Sequence, residues 1–241
     1  MSHINIKTVI LCCSLLASPF AFAGLEEGQI AANEGRFEEA LVEFNYLADK
    51  GFAPGIYELA KMYEEGHGVT RNYAKAAQLY QDAIKKHHVD SMFALAVLYD
   101  EGKGVKLDKQ KAITLFEKAA KKNMPAAQFN LGVMYANGDG VTQDYKQARF
   151  WYEKAAANNY SLAQFNLALL YFEGLGTPKD VEKSYIWNSI AEYNGNMKAS
   201  HSRKLDERTM LPAEAEAAKE KADAIYAKIL AGTYAGEGRL F

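Results

Sequence analysis

Cysteine is almost missing from this chain: Cys12 and Cys13 are the only two, and none follows them. Disulfides and thiolate metal sites therefore have no ligands beyond residue 13, and stability must come from packing. Long apolar runs are missing too, because the stretch at residues 9–17 falls short of the roughly 20 apolar residues that a membrane-crossing helix needs. There is no excess of positive charge. With 28 Lys and Arg against 30 Asp and Glu, the formal net charge is −2, and nothing here displaces counterions from a polyanion, so no nucleic acid partner is expected. The common catalytic signatures Ser-x-x-Lys, Gly-x-Ser-x-Gly and His-Glu-x-x-His do not occur. His87-His88 is an adjacent pair, and neighbours on a helix do not face one point, so no metal site is expected there. Beside Lys85 and Lys86, the pair reads as a cationic helix end that favours the helix dipole. No cofactor is implied, and the chain is not expected to be an enzyme.

What is present begins with a leader. Lys7 precedes the apolar run, Ser18 and Pro19 break it, and Ala21-Phe22-Ala23 supplies a small-x-small cleavage pattern. Residues 1–23 are thus expected to be a signal peptide, with the mature chain starting at Gly24 and located in the periplasm or secreted. Both cysteines would leave with the leader. Val9, Ile10 and Leu11 before Cys12 are not the small residues of a lipoprotein site. After cleavage no integral membrane span remains.

The rest is organised by a step of 36 residues. Gly66-His67-Gly68-Val69, Gly102-Lys103-Gly104-Val105, Gly138-Asp139-Gly140-Val141 and Gly174-Leu175-Gly176-Thr177 keep that step without slipping. Leu59, Leu95, Leu131 and Leu167 keep it as well, as do Tyr63, Tyr99, Tyr135 and Tyr171, and Ala83, Ala119, Ala155 and Ala191. Small residues recur at Ala76, Ala112, Ala148 and Ser184, where two helices must approach closely.

Within one unit Ala127, Leu131, Met134 and Tyr135 fall on one face of a first helix, A. Tyr145, Ala148, Tyr152, Ala155 and Ala156 fall on one face of a second, B. The paired glycines suit a left-handed helix end and a tight turn, and Asn72, Asp108, Asp144 and Asp180 stand where helix B needs an N-cap. One hairpin cannot bury its own apolar face, so the units must stack. The expected fold is all-α: an α/α superhelical solenoid of stacked two-helix repeats. Repeats are expected at residues 53–88, 89–124, 125–160 and 161–196, after a divergent capping repeat at 24–52 that lacks the double-glycine turn. Capping helices are expected at 197–230, with Leu211-Pro212 as a boundary, followed by a poorly ordered tail at 231–241 ending in Phe241.

These units resemble Sel1-like repeats, relatives of the tetratricopeptide repeat. The resemblance is carried by the run from Ala127 through Phe129, Asn130, Leu131 and Gly132 to Tyr135, then Gly138, Gly140, Val141, Ala148, Trp151, Tyr152 and Ala156. It implies a binding scaffold that takes proteins or peptides on its inner curve, in envelope signalling, host interaction or complex assembly. The fourth unit departs from the pattern, with Ser184 and Asn188 where the others have alanine and an aromatic ring, which suggests altered stacking.

On the same resemblance, Asn130 and Asn166 on helix A, with Gln128 and Gln164 close by, are the candidate partner-binding residues of the concave face. An amide can serve a peptide backbone or a terminal carboxylate; it can equally hold neighbouring helices together. Glu58 and Ala94 at the matching earlier positions argue against a uniform clamp. Trp151 and Trp187 stand in register on helix B and read as packing residues. Charge is uneven, −7 over residues 24–65 and +5 over 66–125, a pattern that would orient a complementary partner or simply solvate outer faces. The leading expectation is an exported adaptor. The alternatives are a permanent structural subunit of an envelope machine and a cell-wall or β-lactam hydrolase.

Overall fold

A computed structural model of the chain describes residues 19–236. The described residues form twelve helices and no strand, and they divide into two compact units between Leu107 and Asp108. The first unit holds α1 (Pro19–Asn33), α2 (Phe37–Asp49), α3 (Ala53–Glu65), α4 (Tyr73–Ile84) and α5 (Val89–Glu101). Each packs on the next in chain order, as a solenoid requires. Its core includes Ala40, Phe44, Leu47, Leu59 and Met62, all buried. Residues 1–18, which hold most of the expected leader and both cysteines, lie outside the described residues. Helix α1 runs through the expected cleavage point, and Phe22 meets Phe52 edge-on at 5.6 Å.

The second unit holds α6 (Lys109–Ala120), α7 (Pro125–Asn137), α8 (Tyr145–Ala157), α9 (Ser161–Glu173), α10 (Val181–Tyr193), α11 (Met197–Glu207) and α12 (Pro212–Leu230). Packing again follows chain order to α11, and α12 returns onto α10. Leu131, Leu167, Ile190 and the alanines Ala148, Ala155, Ala156, Ala163 and Ala168 are fully buried, which is what lets helices A and B approach closely. Trp187 belongs to this core. Of the C-terminal segment, Tyr234 meets the Trp187 ring edge-on at 5.9 Å, so the stretch with no helical period still contributes one packed ring. Residues 237–241, with Phe241, lie outside the described residues.

The turns follow directly from local chemistry. Gly66, Gly102, Gly138 and Gly174 end helix A in the left-handed region and donate to the carbonyls of Met62, Leu98, Met134 and Leu170. The next helix opens on a side-chain cap: Asn72, Asp108, Asp144 and Asp180 accept from the backbone N–H of Lys75, Lys111, Gln147 and Lys183 at 2.9 to 3.1 Å. Helix B ends on a second left-handed position with the same step, occupied by Gly51, His87, Asn123, Asn159 and Gly195. His87 is thus a conformational element at φ +63, while His88 caps α5 by accepting from Ser91 N–H and packs its ring 5.0 Å from that of Tyr57. A left-handed residue with a Cβ costs about 1–2 kcal/mol, and the His87 side chain is exposed. His87→Gly should therefore raise the unfolding free energy by about 0.5–1 kcal/mol after the extra freedom of the unfolded glycine is subtracted. Urea titration checks this, and a decrease would mean that the imidazole makes a stabilising contact.

Candidate functional site

The four residues expected to bind a partner do different jobs. Gln128 and Gln164 are 1% and 0% exposed, and both ends of each amide are spent on partners inside the protein. Gln128 donates to the Ala120 carbonyl at the end of α6 and accepts from Asn158 at the end of α8, at 3.2 and 3.1 Å. Gln164 repeats this one period later: it donates to the Ala156 carbonyl of α8 and accepts from Asn194 after α10, at 3.2 and 2.9 Å. Asn194 also donates to Asn159 and accepts from the Tyr226 hydroxyl of α12. Each glutamine therefore ties the end of one helix B to the end of the next. A buried amide must find partners, and here both of its ends do so inside the protein. In this structure the two glutamines act as an inter-repeat lock.

Asn130 is half-buried and donates back to the Ala126 carbonyl of its own helix at 2.8 Å. Asn166 is half-buried too and hydrogen-bonds the Tyr152 side chain of α8, whose hydroxyl pKa is raised by burial and pulled back by that amide. The two asparagines keep some exposure, but the structure does not bring the four residues together in one cleft.

A cleft of about 130 Å³ lies elsewhere, between α9, α10 and α11. Phe165, Leu169 and Phe172 of α9 form one wall, with Glu173 beside them; Ser202 and Leu205 of α11 form the other. Ser184 and Asn188 of α10, with Asp206 of α11, line it with polar atoms although they are 1%, 2% and 2% exposed. Ser184 Oγ and Asn188 Nδ2 both donate to Asp206 Oδ2, at 2.8 and 2.9 Å. The other end of the Asn188 amide, Oδ1, is buried without a donor.

The repeat explains why the cleft is there. Position 188 follows Tyr80, Phe116 and Tyr152 at the 36-residue step, and each of those rings is buried and fills its site. Phe129, the counterpart of Phe165, packs its ring 5.9 Å from that of Tyr152. With asparagine at 188 no ring occupies that place in the fourth repeat. Position 184 follows three alanines, and 206 follows Met62, Leu98, Met134 and Leu170, all buried. Three core positions have thus turned polar together, and they meet. Burial pushes the Asp206 carboxyl above the usual aspartate range, against the pull of Asn188, Ser184 and the Lys179 charge. A carboxyl raised by folding favours the folded state most at low pH, and that contribution is lost as pH rises through its folded pKa.

A second, wider recess of about 600 Å³ lies between α10, α11 and α12. Within it Arg203 bridges Glu192 and Glu207 at 2.6 and 2.9 Å, and Ser200 donates to Glu192. Among the described residues no three acidic, histidine or cysteine side chains are grouped to hold a metal ion, and no helix is long and apolar enough to cross a membrane.

Residues 53–88, 89–124, 125–160 and 161–196 each match the family model for the Sel1 repeat. The chain belongs to the Sel1 repeat family. A Sel1 repeat protein from Oxalobacter formigenes is similar over 83% of this chain and 84% of its own, at 29% identity and a TM-score of 0.73. A protective antigen present in uropathogenic Escherichia coli strains, with the same repeat fold, is 27% identical over 96% of this chain and 58% of its own, with a TM-score of 0.54. An immunity protein of Pseudomonas aeruginosa, PA5088, shares the fold at 20% identity and a TM-score of 0.54, over 96% of this chain and 88% of its own. No curated protein matches the chain. Sel1 repeat proteins are helical-repeat scaffolds that generally mediate protein interactions and are generally non-catalytic. In this Sel1 repeat chain, Ser184, Asn188 and Asp206 are residues to which the pattern of helix A amides does not point. The signal for the first two was already visible as a departure from the repeat.

Proposed function

We propose that this chain is an exported adaptor that holds a protein segment against α9 and α11. The observation that carries the reading is the apolar face of the cleft: Leu169 of α9 and Leu205 of α11 are 46% and 44% exposed, and Leu162, earlier on α9, is 48% exposed. They lie beside the half-buried Phe165 and Phe172. Leu169 takes the place of Lys61, Val97 and Val133 in the earlier units, so the fourth repeat is the one that adds a large exposed apolar side chain. Apolar side chains grouped at a recess lose water on binding and mark a contact surface rather than a solvated one. Export rests on the leader pattern of residues 1–23, and periplasmic or secreted location follows from it.

The test is a photo-crosslinking amino acid at Leu169 in native cells, with mass spectrometry of the adducts and of the N-terminus of the chain itself. One recurrent protein adduct and a chain beginning at Gly24 are expected. A retained N-terminus would overturn export. A second reading, a permanent structural subunit held through its end, draws on Met197, Leu211 and Leu230, which are 82%, 66% and 61% exposed on or beside α11 and α12. Adducts from Leu230 with none from Leu169 would favour it.

A further inference from the structure

We infer that the cleft between α9, α10 and α11 is a socket for one arginine side chain of the bound protein segment. This rests on the adaptor reading and gives it a chemistry. The polar atoms that remain for a ligand are acceptors: Asn188 Oδ1 is buried without a donor, and Asp206 takes its two donors from Ser184 and Asn188 on a single oxygen. A ligand must therefore bring N–H or O–H groups. The charged residues of the lining, Glu173 and Asp206, are both acidic, so a cation is matched and an anion is opposed. Lys179 is the basic group whose charge reaches Asp206; it is exposed, with Nζ over the Phe172 ring at 4.7 Å rather than in the lining.

Shape narrows the choice. Asn188, which lines the cleft, stands where the other repeats carry the rings of Tyr80, Phe116 and Tyr152, so the cleft is matched to a flat group. Its volume of about 130 Å³ is close to the ~150 Å³ cavity that holds a benzene-sized molecule. A guanidinium is planar, stacks on aromatic faces and donates in a fork that fits a carboxylate, while its methylene stem lies along apolar walls. Phe165, Phe172, Leu169 and Leu205 supply those walls. An ammonium has the charge without the plane.

The test uses the full mature chain and two small probes, N-acetyl-arginine amide and its neutral isostere N-acetyl-citrulline amide, titrated by amide NMR. Arginine amide is expected to shift Ser184, Asn188, Leu205 and Asp206, with citrulline amide at least tenfold weaker. Asp206→Asn should weaken the arginine probe about tenfold, and Asn188→Tyr, which puts back the ring of the other repeats, should abolish its shifts while the rest of the spectrum stays folded. Equal binding of the two probes, or shifts confined to other residues, overturns the socket. So does a partner crosslinked from Leu169 equally well in wild type and Asn188→Tyr, an outcome that leaves the adaptor reading standing.

Discussion

Replacing Gly104 by alanine is expected to lower the unfolding free energy by about 2–5 kcal/mol. Two independent costs meet at this position. Gly104 sits at φ +67, where an L side chain is strained by about 1–2 kcal/mol. Its added Cβ would also stand 2.3 Å from the Tyr73 carbonyl carbon and 2.4 Å from Ala74 N. Those atoms are backbone in the first turn of α4, so no rotamer relieves the overlap, and the turn must separate from the helix at a cost of about 1–3 kcal/mol. The second glycine of the turn is therefore a docking point between one hairpin and the preceding helix B, as well as a conformational requirement. Gly35 separates the two terms, because it has φ +77 and nothing within 4 Å of a built Cβ. Gly35→Ala should cost only about 1–2 kcal/mol. Urea denaturation of both variants reads the difference, and equal losses would show that the close approach contributes nothing.

Legibility in the sequence tracks how often a feature recurs. The glycine turns, the Asn and Asp caps and the buried Leu and Ala positions occur four times with an invariant step, so a period of 36 exposes them without any structure. The role of Gln128 and Gln164 was not legible in the same way. They adjoin Phe129 and Phe165 on helix A, and whether an amide one position away points outward or into the seam depends on how neighbouring helices meet. A hint existed in Asn158 and Asn194, each 30 residues after its glutamine partner, but two copies of a pair carry little weight. The cleft was half legible. Ser184 and Asn188 stand out against alanine and aromatic neighbours in the repeat, yet Asp206 lies beyond the last matched unit. Only the in-register start of α11, one period after α9, identifies residue 206 as a buried helix A position.

That identification leads to a prediction in which single and combined substitutions have opposite signs. Asp206→Leu alone removes the shared acceptor of Ser184 and Asn188 and leaves their donors buried, which should cost about 1–3 kcal/mol. The triple change Ser184→Ala, Asn188→Tyr and Asp206→Leu restores the residues of the third repeat or their close equivalents and leaves no polar group of the cluster unpaired. It also fills a cleft of about 130 Å³, worth at most about 3 kcal/mol at ~24 cal/mol per Å³ because the cleft is partly open to solvent. Removing a buried charge adds to that gain. The triple variant should therefore be more stable than wild type, by about 1–3 kcal/mol, although one of its components is destabilising, because the three residues act as one unit and their effects do not add. Thermal and urea unfolding of the single and triple variants measure both signs. A triple variant less stable than wild type would mean that the fourth repeat is packed around Asn188 and Asp206 for its own stability, which would remove the stability argument for reading the cluster as a binding feature. If the gain is found, the fold gives up stability at this one place in the second unit, as binding sites do when a recess must stay open for a partner.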